Sequence, residues 1–469
     1  MVDNSSLSKQ PDYIDKNLSS GWIILGLFAI VASVTGGASR FDAVQIIPLR
    51  MLSALSIVFS ISFIVKERLK DERALTLLFG SLVLIVALQL VPLPPSLWQS
   101  LPQRGVIAQL DATLGLEGVW RPLSMTPMRT SNMLGSIIVP GAGLLLAVAF
   151  SASSRTILRV VAGLGVLNAL LGILQVVTGR YSLFYFYEVT NRGSPVGILA
   201  NENHAAIFAA CSMLVVTFLG LKAKRRPNAS LERMLYSVAF LLILFVSLVG
   251  GSRAGLVAAI GAILVSLGML ALSPRRRQGQ PAGSVAMRCR FVTVPGLIVL
   301  VPLSVVSLTV AAFLALGRVP AFRDLLAQDS FQDLRWSIWP VIANMLKDHW
   351  FIGAGFGSFE QIYHIYEPSK LLMPSYVNQA HNDWAQYTME GGAFAGLLFI
   401  GLLVWFTKRV ATIAAHRTLR VDAIFWVSIF AVVSAGSLID YPLRTPLFQI
   451  ITVWLLVALS RDARNVEAR

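Results

Sequence analysis

Runs of about twenty apolar residues recur from one end of this 469-residue chain to the other. That run length is what one helix needs to cross the hydrocarbon layer of a bilayer. Backbone inside a bilayer must satisfy its own hydrogen bonds, so repeated runs of this kind dictate a bundle of helices. The ten-residue alternation of a membrane barrel is absent. Composition agrees, with 55% hydrophobic and only 13% charged residues. We read an all-α polytopic bundle of twelve spans, at 21–37, 42–65, 74–92, 132–152, 156–177, 203–221, 234–250, 254–273, 291–317, 385–406, 421–438 and 445–460. No repeat or low-complexity linker divides the chain, so 1–469 is expected to be a single integral membrane domain.

The net charge of +15 suggests nucleic acid until the charges are placed. With the N-terminus inside, 25 of the 39 lysines and arginines fall on inner segments and 13 on outer ones. Arg50 lies within a span. Every short inner loop is basic, as the positive-inside rule requires. The charge is therefore topological, no nucleic-acid partner is expected, and both termini are placed in the cytoplasm. Met1 to Ser20 is polar with charges of both signs, unlike a cleaved signal peptide. Cys211 lies in an apolar run and Cys289 in a basic loop, which argues against a disulfide and a metal cluster. Three outer segments are long, and 318–384 is the longest.

Several outer residues invite chemistry. Arg253 sits in "VGGSRAGLVA", at the turn between two spans. Gly250 and Gly251 would bend the chain and Ser252 would cap the next helix, but a turn does not need an arginine. A guanidinium beside the free N–H groups of a helix N-terminus makes an anion site. Arg192 precedes Asn201, Asn203 and His204 in "NRGSPVGILANENHAA". One amide would cap the helix; two amides and a histidine exceed that need. Arg335 belongs to a stretch in which Trp336, Trp339, Leu346 and Trp350 suggest an amphipathic helix at the membrane interface. Its charge could equally pair with Asp333 or snorkel. Gly353, Gly355 and Gly357 read as a turn, or more weakly as a phosphate cradle.

His381 and Asn382 open "HNDWAQYTMEGG" where the longest outer segment re-enters the membrane. Histidine is the side chain whose unperturbed charge change lies near neutrality, yet a helix cap is the plainer role. Glu390 follows nine residues later, on the far side of a straight helix from His381. With Gly391, Gly392 and Gly396 it is expected to pack against another span and find its partner there. The sequence has no Asp-x-Asp, and its outer carboxylates are scattered, giving a divalent metal site little support.

Together these motifs resemble the O-antigen ligase and polymerase superfamily of bacterial membrane glycosyltransferases. The resemblance rests on "GILANENHAA", "GSRAG", "RWSIWPVIANMLKDHWFIGAGFGSF" and "HNDWAQYTMEGG", with "VPLPP" and "RPLSMTPMRT" upstream. It covers most of the chain and is concentrated in 190–400. It implies a fold similar to the multi-spanning lipid-sugar transferases, and 318–384 as a periplasmic loop with interfacial helices. It also implies a metal-independent, inverting transfer at the periplasmic face of the inner membrane, without cofactor. The donor would be a glycan on undecaprenyl pyrophosphate, and the acceptor lipid A–core or a growing glycan. By motif match, Arg192, Arg253 and Arg335 would bind the donor pyrophosphate and His381 would serve the acceptor. Asn201, Asn203, His204, Ser252, Asn382 and Glu390 would support them. Ligase and polymerase share these motifs. A transporter is the third alternative, but it would keep ionisable residues near mid-membrane, where only Arg50 qualifies.

Overall fold

The computed structural model describes residues 11–223, 229–273, 330–372 and 377–468. Apart from one two-residue strand pair, every regular element among them is a helix. Nine helices among the described residues are long and apolar enough to cross a membrane, and Gly21–Thr35 and Arg73–Leu88 are shorter apolar helices. These eleven correspond to eleven of the twelve expected spans. The twelfth, 291–317, lies outside the described residues. The chain is an all-α, multi-pass membrane protein.

The described residues form two compact units, each drawn from separate stretches of chain. The first takes its residues from Met1–Ser153, Asp329–Arg409 and Ala435–Ser460. Within it, helices Ile46–Phe63 and Pro127–Ala149 pack side by side. Arg50 is held inside this pair through its two terminal guanidinium nitrogens. It donates to the Asn132 side chain at 2.8 Å and to the Asn132 carbonyl at 3.3 Å. An arginine in a span is thus accounted for by interhelical hydrogen bonds. Trp454 on helix Pro446–Glu467 donates to the Gly143 carbonyl at 3.0 Å. Gly143 exposes that carbonyl because it has no side chain to cover it.

Helix Ser330–His349 also belongs to the first unit. Its Ile338, Val341, Ile342 and Met345 are buried against Phe359, Ile362, Tyr363 and Met389. Trp336, Trp339 and Trp350 stay exposed. Leu346 departs from the expectation that grouped it with the tryptophans: it packs against the buried cluster. The helix is amphipathic, with its aromatic side outward.

The second unit takes its residues from Ser154–Gln328, Val410–Ser434 and Arg461–Arg469. Helix Glu202–Lys222 is its core, buried over most of its length. Small residues let neighbours approach it. Gly165 on helix Ser154–Thr178 faces Ser212, and Gly255 on helix Arg253–Leu272 faces Ala206. A methyl group at either glycine would overlap its neighbour.

Candidate functional site

In the first unit, the site begins with how the backbone holds His381. Helix Asp383–Ala414 starts just after it. The cap is Asn382, whose side-chain oxygen accepts from the Ala385 N–H at 3.0 Å. His381 therefore need not cap, and its φ of 50° places it in the left-handed region. That conformation costs a non-glycine residue energy. Gln386 secures the chain on the other side. Its side-chain oxygen accepts from the Ala380 N–H at 3.0 Å, and its NH2 donates to Gln379 at 2.6 Å and to Glu390 at 2.9 Å.

The imidazole meets a carboxylate from the segment between the last two helices. His381 Nδ1 lies 3.5 Å from Asp440 Oδ1, with only 1% of the Asp440 side chain exposed. The ring packs edge-on against Tyr441, 5.0 Å between centroids at 67°. Asp440 Oδ1 also accepts from the Tyr441 N–H at 3.0 Å, which fixes the carboxylate. The buried carboxylate thus faces the Nδ1 edge of the ring.

Arg444 neutralises the rest of this cluster. Its NH1 lies 2.8 Å from Glu390 Oε2, and its Nε lies 3.6 Å from Asp383 Oδ1. Burial alone would lower the Arg444 pKa, but the Glu390 and Asp383 carboxylates hold it above its ordinary value. Asp383 Oδ2 accepts from Ser437 Oγ and from the Leu443 N–H, each at 3.0 Å. Glu390 is fully buried and also accepts from Gln386 and from the Phe359 N–H. Glu390 thus finds its partners away from His381, as its position on the helix requires.

Just beyond Glu390 the helix breaks. Gly392 has φ 65° and ψ −161°. The break frees carbonyls that the loop Phe351–Gly355 then uses. Ala354 N–H donates to Met389 O at 2.9 Å, Gly355 N–H to Glu390 O at 3.0 Å, and Ala393 N–H to Phe351 O at 2.9 Å. A Cβ at Gly353 would lie 2.5 Å from the Glu390 carbonyl, and one at Gly392 would lie 2.6 Å from the Ile352 carbonyl carbon. Gly353, Gly355 and Gly357 all have positive φ. Gly353 docks on the broken helix, Gly355 makes room for Ser124 and Gly357 for the Arg129 carbonyl, in keeping with the turn reading. Gly391 packs tightly against Phe356, whereas Gly396 meets nothing within 4 Å, contrary to its expected packing role.

In the second unit, two helix heads are tied together. Asn201 caps helix Glu202–Lys222, accepting from the N–H groups of Asn203 at 2.8 Å and His204 at 3.4 Å. Ser252 caps helix Arg253–Leu272 through the Gly255 N–H at 2.9 Å, and its hydroxyl donates to Asn203 Oδ1 at 2.6 Å. Arg253 is the first residue of that helix, so its guanidinium is carried at a positive helix end. His204 is fully buried. The loop before Asn201 is pinned by Gln175, whose amide exchanges two hydrogen bonds with Gly197, at 2.7 and 2.8 Å. Arg192 is exposed on this loop, its guanidinium 5.7 Å from the Tyr185 ring centroid.

The structure therefore gathers Asn201, Asn203, Ser252 and Arg253 in one unit, and His381, Asn382 and Glu390 in the other. Arg335 lies on helix Ser330–His349, but its side chain is outside the described residues. Sequence reasoning missed Asp440, Tyr441 and Arg444. The available signal was "IDYPLRTP", a stretch with two charges and a tyrosine wedged between two spans.

Residues 238–400 match the family described as O-antigen ligase. The matched segment contains Arg253, Arg335, His381, Asn382 and Glu390. No curated protein matches the chain. The match covers 163 of the 469 residues (238–400) and supports a relationship to the O-antigen ligase and polymerase superfamily.

Proposed function

We propose that this protein transfers a glycan from undecaprenyl pyrophosphate to a hydroxyl of lipid A–core, as a metal-independent inverting ligase. In this reading the chain is a single integral domain of the bacterial inner membrane, with cytoplasmic termini and 318–384 in the periplasm. The observation that carries the proposal is the His381–Asp440 pair, 3.5 Å apart and held where the chain enters a span. That pair lies partly inside the segment matching the O-antigen ligase family.

His381 accepts the acceptor hydroxyl proton while the Asp440 carboxylate, facing Nδ1, stabilises the imidazolium that forms. The acceptor oxygen bonds to the anomeric carbon from the face opposite the pyrophosphate, so the configuration inverts. The carbon–oxygen bond to phosphate breaks, and its electron pair leaves with undecaprenyl pyrophosphate. Guanidinium groups stabilise that growing charge. Arg253 at its helix head is the principal candidate, with Arg335 and Arg192 assisting. The role of Ser252 and Asn203 is to hold Arg253 in place.

Purified protein supplied with lipid-linked glycan, lipid A–core and EDTA tests this. Glycosylated lipid A–core with undiminished rate is the expected product. Extension of a second lipid-linked glycan alone would replace the ligase assignment with a polymerase. Transfer to neither acceptor would overturn the proposal.

A further inference from the structure

The segment 94–120, between helices Arg73–Leu88 and Pro127–Ala149, is built inside out. It contains three charged residues, Arg104, Asp111 and Glu117. Two are buried: Arg121 grips Asp111, with Nε–Oδ2 at 2.6 Å, and Arg104 donates to the Leu123 carbonyl. Trp98 is fully buried and donates to the Val119 carbonyl at 3.0 Å. Aliphatic and aromatic side chains instead face outward, with Val106 76% and Trp120 61% exposed. Leu97, Leu110 and Leu114 are exposed as well.

The short helix Gly105–Thr113 sorts these residues by direction. At 100° per residue, Val106, Leu110 and Leu114 span one exposed sector of about 80°. Asp111 and Ile107 turn toward the protein. Gln109, Ala112 and Thr113 fill the remaining exposed sector. A helix in water needs two sectors, one buried and one polar. A third sector that is both exposed and apolar fits a helix lying along a lipid surface. The same kind of surface leads into the segment. Leu77, Leu84 and Leu88, at seven- and four-residue spacing, share an exposed face of helix Arg73–Leu88, and exposure continues through Val91 to Leu97. The lipid-facing stripe of a membrane helix thus runs by chain continuity into the patch.

We propose that residues 94–120 form an interfacial module seated in the bilayer surface where helix Arg73–Leu88 ends, with Val106, Leu110, Leu114 and Trp120 among the lipid. Arg121, itself partly exposed, grips the buried Asp111, which keeps that carboxylate out of the apolar layer. The exposed sector opposite, at Gln109 and Ala112, faces water. The occupant of the patch is the bilayer in which the chain itself sits.

Single cysteines at Leu110, Leu114, Gln109 and Ala112, in a Cys289→Ser background with Cys211 buried, test this when labelled with NBD. The host is a nanodisc of phosphatidylcholine and phosphatidylglycerol holding one copy. The probes at Leu110 and Leu114 should show blue-shifted emission, lose fluorescence to nitroxide-bearing lipid and resist aqueous iodide. Those at Gln109 and Ala112 should do the reverse. Equal iodide quenching at all four positions would overturn the proposal. Protection of Leu110 and Leu114 from both quenchers would also overturn it, since protein would then cover the patch. All four side chains are exposed, so labelling leaves the core intact.

Discussion

Replacing His381 by asparagine separates chemistry from architecture. The φ of 50° at this position suits asparagine, which enters the left-handed region more readily than most residues. The cap of helix Asp383–Ala414 belongs to Asn382 and is untouched. The lost packing is one ring edge against Tyr441. Stability should therefore change by about 1 kcal/mol or less. The loss of a general base typically lowers the rate by about 10² to 10⁴, which is roughly 3–5 kcal/mol of transition-state stabilisation. The predicted imbalance is thus several kcal/mol in activity against about one in folding. Transfer from lipid-linked donor to acceptor, run beside thermal unfolding and donor binding, measures both sides. Unfolding temperature and donor affinity should match the parent while transfer nearly vanishes. Asp440→Asn should lose less, because it disturbs ring orientation and charge while leaving the imidazole in place. A His381→Asn protein that transfers glycan within about threefold of the parent rate would refute the catalytic reading.

Arg253→Lys keeps the charge but loses the planar fork. It should insert normally and lose most transfer, and near-parent activity in Arg253→Ala would remove the residue from the donor site. Arg444→Met leaves the buried Glu390 and Asp383 carboxylates without their cation. That should destabilise by about 3–5 kcal/mol, read as a lower unfolding temperature, and adding Glu390→Gln should restore part of it. Gly392→Ala forces a Cβ to 2.6 Å from the Ile352 carbonyl carbon and puts alanine at φ 65°. Hydrogen exchange at Ala354 and Gly355 should rise, and unchanged protection there would show that the loop does not depend on the break. Hydrogen bonding to Arg121 holds the Asp111 carboxyl below its ordinary 3.8. A depressed carboxyl stabilises the fold above its unfolded value and loses that contribution as pH falls through the folded one. Exchange protection in 105–121, taken relative to the intrinsic rate at each pH, should therefore stay constant down to about pH 5 and fall only in stronger acid.

The spans were legible because run length alone determines them. Their ends were less so: helix Pro446–Glu467 continues past the expected 460 through a polar turn that hydropathy does not count. His381 was legible from its address, at the mouth of a span. Its carboxylate was not, because Asp440 comes from a turn 59 residues later, and no local pattern announces that meeting. Arg444 has the same difficulty, since its meaning lies in Glu390, 54 residues away. The glycines at 353–357 were visible as conformational freedom, but their use was not. Docking into a broken helix involves backbone groups, which every residue carries and no sequence motif marks. Leu346 was misassigned because it sits beside exposed tryptophans in sequence, whereas packing turned it to the core.

The backbone bond from Ala354 to Met389 closes the chain between them into a ring. Both ends of that ring rest on the same break in helix Asp383–Ala414, at Gly392, just past Glu390. Residues lengthened or deleted within the ring change its circumference and leave its clasp in place. Variation ahead of Gln379 can therefore remodel what the ring reaches while the histidine keeps its position. A change of length between His349 and Gly353 has no such buffer, because it shifts the clasp itself. The tolerance of this region to insertion should accordingly switch within a few residues, at the point where the ring fastens.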